Sequence, residues 1–107
     1  MSKVFNLQGQ VVATYVFDKV WNKDTSDGTP IGRFVFGRIY NKDSTDGEPI
    51  GYYGLGKIWD KGKSIHQPIG SYAIGKIFKG YPNGKLVGTY SGHDDGAAAS
   101  AYLLLFK

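Results

Sequence analysis

Residues 34–59 read FVFGRIYNKDSTDGEPIGYYGLGKIW. The stretch states one design twice. An aromatic residue is followed by an apolar residue and glycine, and then by a basic, branched, aromatic tripeptide. The first copy is Phe34, Phe36-Gly37, Arg38-Ile39-Tyr40; the second is Tyr53, Leu55-Gly56, Lys57-Ile58-Trp59. A polar loop, Asn41 to Pro49, lies between them.

The design continues on both sides. The tripeptide recurs as Lys3-Val4-Phe5, Lys19-Val20-Trp21, Arg38-Ile39-Tyr40, Lys57-Ile58-Trp59 and Lys76-Ile77-Phe78, at spacings of 16, 19, 19 and 19 residues. The aromatic series is Tyr15, Phe34, Tyr53, Tyr72, Tyr90 and Tyr102, at spacings of 19, 19, 19, 18 and 12. Two positions before each member sits a small residue: Ala13, Gly32, Gly51, Gly70, Gly88 and Ser100. A fixed period of this kind marks a repeat architecture, here in about six partial copies.

The spacers are turn chemistry. Asn22 to Pro30 and Asn41 to Pro49 are near-identical runs of Asn, Asp, Ser, Thr and Gly ending in Pro. Asn and Asp bond to nearby backbone, Gly supplies positive φ, and Pro withholds a donor from any sheet. The runs between them are rich in Val, Ile, Tyr and Phe and have no helical period. Short connections join antiparallel neighbours. The pattern predicts an all-β antiparallel up-and-down meander of seven strands over 2–6, 10–22, 30–41, 49–60, 68–79, 85–92 and 97–106. A short helix is the alternative for 97–106, because Ala97 to Phe106 are good helix formers.

Within Phe34-Val35-Phe36-Gly37-Arg38-Ile39-Tyr40, Phe34 and Phe36 share a face, and strict alternation turns Ile39 away from it. A bulge at Asp18, Gly37, Gly56 and Gly75 would return the branched residue to the inner face. The expected core is then Tyr15, Phe17, Val20, Phe34, Phe36, Ile39, Tyr53, Leu55, Ile58, Tyr72, Ile74, Ile77, Tyr90, Tyr102 and Leu104. So much apolar surface on one side needs a cover. A barrel closed by the first and last strands supplies it and removes both edges. An open sheet with one hairpin per repeat and the apolar–Gly pair as its tight turn is the alternative.

Gly84-Lys85-Leu86-Val87-Gly88-Thr89-Tyr90 resembles part of a MORN repeat, the small Gly- and Tyr-rich β-hairpin unit that stacks into open sheets. The shared Gly-x-x-x-Gly-x-aromatic signature recurs at Gly28 to Phe34 and Gly47 to Tyr53. The resemblance implies a scaffold or membrane-associated interaction module and assigns no site residues.

With 107 residues, one domain spanning 1–107 is expected. There is no cysteine, so neither a disulfide framework nor a thiolate metal site can form. No signal peptide or helical transmembrane segment is visible, and a cytoplasmic location is expected. The net charge of +4 is a mild bias toward anionic partners.

The candidate binding surface is the repeated tripeptide: Lys19, Trp21, Arg38, Tyr40, Lys57, Trp59, Lys76 and Phe78. Aromatic planes stack on rings while Lys and Arg attract anions. The competing reading is that the aromatics pack structurally and the lysine stems cover them. On long antiparallel strands these clusters would alternate between opposite ends of the sheet, which argues against a continuous nucleic-acid stripe. The Asp-x-x-Asp-Gly loops have some calcium character, but Lys23 and Lys42 sit inside them, and turn chemistry accounts for the acids. His66 and His93 fall in turns, and His93-Asp94 near Ser91 or Ser100 lacks a nucleophile motif. No cofactor or metal is expected. The functional expectation is a non-enzymatic binding or assembly module for a protein partner or a second copy. A glycan- or anionic-polymer-binding module is the alternative, and a small barrel enzyme using residues such as Arg33 or Tyr52 is a third reading.

Overall fold

A computed structural model describes residues 2–62, 64–92 and 94–107. The chain is all-β apart from one short helical segment, and its meander closes into a barrel, as expected. The strand count differs from the expectation of seven. Ten strands form, because each long run breaks at its centre into a hairpin. They are β1 (Ser2–Asn6), β2 (Val11–Val16), β3 (Lys19–Trp21), β4 (Gly32–Val35), β5 (Arg38–Tyr40), β6 (Gly51–Gly54), β7 (Lys57–Asp60), β8 (Gly70–Ala73), β9 (Lys76–Lys79) and β10 (Lys85–Tyr90).

The break is the apolar–Gly pair. Val35 pairs with Arg38, Gly54 with Lys57, Ala73 with Lys76 and Val16 with Lys19, leaving two residues in each turn. Phe36 has φ 50° and Gly37 φ 80°; Leu55 and Gly56 have 51° and 79°; Ile74 and Gly75 have 48° and 79°. Two successive positive φ values mark the type I′ turn, whose twist matches that of the strands it joins. This corrects the predicted bulge. Ile39 does return to the face of Phe34, as that reading required, but by chain reversal: the two residues pair directly across the hairpin.

A fourth hairpin turns at Phe17-Asp18, where Phe17 alone has positive φ, 55°, and Tyr15↔Val20, Phe34↔Ile39, Tyr53↔Ile58 and Tyr72↔Ile77 are equivalent inward pairs. The fifth unit is split between the termini. β10 supplies Tyr90 and β1 supplies Val4, and they pair in the same register. The Ser91 N–H donates to the Lys3 carbonyl at 2.9 Å and the Lys3 N–H to Ser91 Oγ at 2.9 Å, clasping the ring shut. A ring leaves no edge for a further strand.

The last segment therefore has no strand to join, and the strand predicted over 97–106 is a helix. Helix α1 (Asp95–Ala101) continues into a wider π turn over Tyr102–Phe106, with the Lys107 N–H donating to the Tyr102 carbonyl at 2.8 Å. It fills the lumen. Ala97, Ala98, Ala99, Ser100 and Ala101 are all fully buried. A ring of this size is too wide for its own side chains alone, and close packing requires a filler. Tyr102 thus belongs to a helix and is no sixth copy of the repeat.

The small residues of the repeat are the helix seat. Ala13, Gly32, Gly51, Gly70 and Gly88 lie opposite Val4, Val20, Ile39, Ile58 and Ile77 on the neighbouring units. A Cβ on Gly51 would stand 2.4 Å from Leu103 Cδ1, on Gly32 2.6 Å from Leu104 Cδ1, on Gly70 2.7 Å from Tyr102, and on Gly88 2.9 Å from Phe106. The molecule is a flat disc of 37 × 34 × 20 Å.

Candidate functional site

The meander has two unlike ends. The four two-residue turns lie at one end, the tip rim, because every hairpin turns there. The connections between units, including residues 22–31, 41–50, 61–62 and 64–69, lie at the other, the loop rim.

The tip rim carries Phe17, Phe36, Leu55 and Ile74. The core reading placed all four inside, yet they are 87, 94, 97 and 98 % exposed. The hairpin turn is the cause: a central turn residue belongs to neither face of the sheet. Each has φ between 48° and 55°, a region that bulky and β-branched residues rarely enter. The tips occupy equivalent places. The Asp18 carbonyl accepts from the Phe34 N–H, Gly37 from Tyr53, Gly56 from Tyr72 and Gly75 from Tyr90, at 2.9–3.0 Å.

Lys19, Arg38, Lys57 and Lys76 immediately follow the tips, so the expected alternation between ends is corrected: all four cations leave the same rim. None of them takes part in an ion pair among the described residues. Lys57 nevertheless runs along the outer wall toward the loop rim, where its Nζ lies 5.2 Å from the centre of the Tyr81 ring. Registers bring each cation into a row with the next unit's aromatic residue, not only its own. Lys19 pairs with Arg33, which pairs with Tyr40; Arg38 leads through Tyr52 to Trp59, and Lys57 through Ser71 to Phe78.

The aromatics of the tripeptides lie nearer the loop rim. Trp21 and Tyr40 are buried, and Trp59 and Phe78 are partly so. Trp21 Nε1 donates to the Gly28 carbonyl at 3.0 Å and Trp59 Nε1 to that of Ile65 at 2.9 Å. Each indole is held by the loop of its own unit. Several loop-rim charges are matched. Lys3 meets Asp24 at 2.6 Å, Lys23 meets Asp27 at 3.2 Å, Lys107 meets Asp60 at 2.6 Å, and Lys61 meets Glu48. Hydrogen bonds from Thr25 and then Lys23 hold the Asp27 carboxyl below its ordinary range, and Lys61 does the same to Glu48. Leu7 and Ile65 are exposed there, each in a separate loop.

At the mouth of the tip rim, phenols gather round the helix start. Asp94 caps it, its Oδ1 accepting from the Gly96 N–H at 3.0 Å. A Cβ on Gly96 would lie 2.3 Å from Phe34 and 2.6 Å from Tyr53 Oη, so this glycine lets the helix enter. Burial raises the phenols of Tyr15, Tyr53 and Tyr90, pushes Tyr72 up to about 12, and raises the Asp94 carboxyl. Arg33 and Tyr52, on which a catalytic reading would rest, are outside the lumen. Arg33 is paired with Asp18 at 3.3 Å and Asp43 at 3.2 Å, and Tyr52 is exposed. His66 is exposed on the loop rim, and His93 lies outside the described residues.

The core reading misplaced the tips because it spent their hydrophobicity inside; the alternative of one hairpin per repeat with the apolar–Gly pair as its turn had the turn right and the open sheet wrong. The signal available was the dipeptide itself: an apolar–Gly pair at the centre of an eleven-residue run, too long for one strand of a small barrel.

The architecture defines the class: a five-unit closed hairpin barrel threaded by its own C-terminal helix. Compared with known protein families, curated proteins and solved structures, the chain matches none.

Proposed function

We propose that this protein is a non-enzymatic docking module, and that the tip rim is its interaction face. One observation carries the reading: four large apolar side chains stand almost fully exposed on backbone that disfavours them. An outlier of this kind persists where function requires it. The basic residues beside the tips and the basic–aromatic rows on the outer wall extend the face. The helix-filled lumen supports binding over catalysis, since the centre of the barrel is occupied by alanine.

The test is a reporter on each rim. Phe36→Cys and, on the loop rim, Lys42→Cys are labelled with an environment-sensitive fluorophore. The protein is then concentrated, or mixed with anionic vesicles. The Phe36 label is expected to respond and the Lys42 label to stay silent. The opposite pattern would sink the reading.

A second reading, a glycan-binding module, is favoured by one feature. A cleft of about 450 Å³ on the loop rim is lined by His66, Gln67, Pro68, Ile69, Tyr81 and Pro82, combining an exposed aromatic ring with polar side chains. A glycan array on which Tyr81→Ala loses every signal would support it; a blank array would remove it.

A further inference from the structure

We infer that the tip rim docks onto an anionic lipid bilayer, laying Phe17, Phe36, Leu55 and Ile74 into the interfacial layer while Lys19, Arg38 and Lys76 meet the headgroups. This rests on the tip rim being the docking face and adds the identity of what it meets.

Three properties of the rim select a bilayer over a protein. The first is flatness. The tips hold equivalent positions in a closed ring of repeated units, so they lie on one circle about the barrel axis, and a flat medium touches all four at once. The fifth place on that circle belongs to the clasped termini. The second is tolerance of shape. The four equivalent positions hold Phe, Phe, Leu and Ile. Only bulk and apolarity are common to them. A protein pocket discriminates among these shapes, whereas fluid acyl chains accept each alike. A second copy facing the first would bring the same knobs to the same rim.

The third property is charge. A cation follows each apolar tip by two residues, and none is in an ion pair among the described residues; Lys57 turns its ammonium to the Tyr81 ring, which leaves Lys19, Arg38 and Lys76 for the rim. This end also carries three carboxylates, of which only Asp18 is in an ion pair among the described residues. Asp18 is taken by Arg33, and Asp94 and Asp95 sit at the mouth on the helix start, inside the ring of tips. Apolar insertion flanked by basic residues is the chemistry that binds phosphatidylserine-like surfaces.

The experiment is vesicle flotation of the full chain. The probes are phosphatidylcholine vesicles with and without phosphatidylserine. The key variant carries Phe17→Asn, Phe36→Asn, Leu55→Asn and Ile74→Asn together. Asn suits the positive φ of all four positions, and at three of them it creates the Asn-Gly pair that suits the I′ turn, so the fold survives, and a thermal melt verifies it. Wild type is expected to float with the phosphatidylserine vesicles. The fourfold variant is expected to bind at least about tenfold more weakly. Arg38→Gln with Lys76→Gln is expected to weaken binding severalfold at low salt, with the difference fading as salt rises.

If wild type ignores both vesicles but dimerises in light scattering, and the Asn variant does not, the lipid assignment is overturned while the tip rim stands as a docking face. If the folded Asn variant floats as well as wild type, lipid assignment and docking face fall together.

Discussion

The two rims of the barrel use the same amino-acid types to opposite ends. On the loop rim, large aromatic side chains are tucked under loops, their indole N–H groups are bonded, and lysines face carboxylates. On the tip rim, large apolar side chains stand in solvent, their backbone is strained, and the neighbouring cations lack acidic partners among the described residues. One rim is arranged to hold the fold together. The other is held by the fold. Substitutions should therefore be expensive toward the loop rim and cheap, even beneficial, at the tips.

The largest effect is expected in the helix seat. Gly51→Ala puts a methyl 2.4 Å from Leu103 Cδ1 and 2.5 Å from the Trp59 carbonyl oxygen. Leucine can rotate away, but sheet backbone cannot without breaking a ladder. Overpacking against backbone costs about 3 kcal/mol or more. In urea titration the midpoint should collapse, with Gly54→Ala as the control, since nothing lies within 4 Å of its Cβ position. Equal losses in the two variants would refute the seat.

Next comes Trp21→Ala on the loop rim, expected to cost about 3–4 kcal/mol through the lost packing of a buried indole and its bond to Gly28. A loss below about 1 kcal/mol, the level of ordinary surface changes, would remove the contrast between the rims.

Alkali probes the mouth of the tip rim and the lumen beneath it. Burial holds the Tyr72 phenol up to about 12 against its ordinary 10.0, and raises Tyr15, Tyr53, Tyr90 and Tyr102 as well. Between those values the folded chain keeps a proton that the unfolded chain has released. Stability is then unaffected below pH 10.0, and falls as pH rises from there through about 12. Phenolate absorbance should rise late and together with the loss of near-ultraviolet circular dichroism. Phenols ionising early with the fold intact would show that the mouth is open to water.

How much of this was legible without coordinates follows from what a period can encode. The repeat announced a meander, a buried tyrosine face and ring closure, because those depend on alternation and on turn chemistry that each copy states. Closure was expected between the first strand and 97–106, whereas Val4 pairs with Tyr90 and the ring closes one segment earlier. The purpose of the small residues was hidden. Gly32 and Gly70 are small for the sake of Leu104 and Tyr102, which lie far along the chain and outside the sheet. Local pattern cannot name a distant partner. The fate of residues 97–106 turned on the same point, since a strand-like or helical reading is decided by whether a sheet edge remains to receive it. The tips were misread for another reason. Hydrophobicity argues for burial only on average, and Phe36-Gly37 lacks the Asn or Asp by which such a turn usually declares itself.

Within the lumen a smaller effect is expected. Ser100 is fully buried among alanines, and its hydroxyl has no partner among the described residues. Ser100→Ala removes a desolvated polar group and improves helix propensity, for a gain of about 1–2 kcal/mol. A loss of stability in chemical denaturation would mean that the hydroxyl is bonded after all.

The smallest change is expected where exposure is greatest. Phe36→Asn removes a side chain that is almost wholly in water, so no burial is forfeited. It also places Asn at φ 50°, where its short polar side chain is accommodated better than a phenyl ring, ahead of a glycine already at φ 80°. The expected outcome is a gain of about 0.5–1 kcal/mol, read as a higher denaturation midpoint at unchanged slope. The sign is what matters. A gain means that the native phenylalanine costs the fold stability and is there for what the rim meets; a loss means that the ring packs on its own hairpin in solution and that the two rims are alike in holding the barrel together.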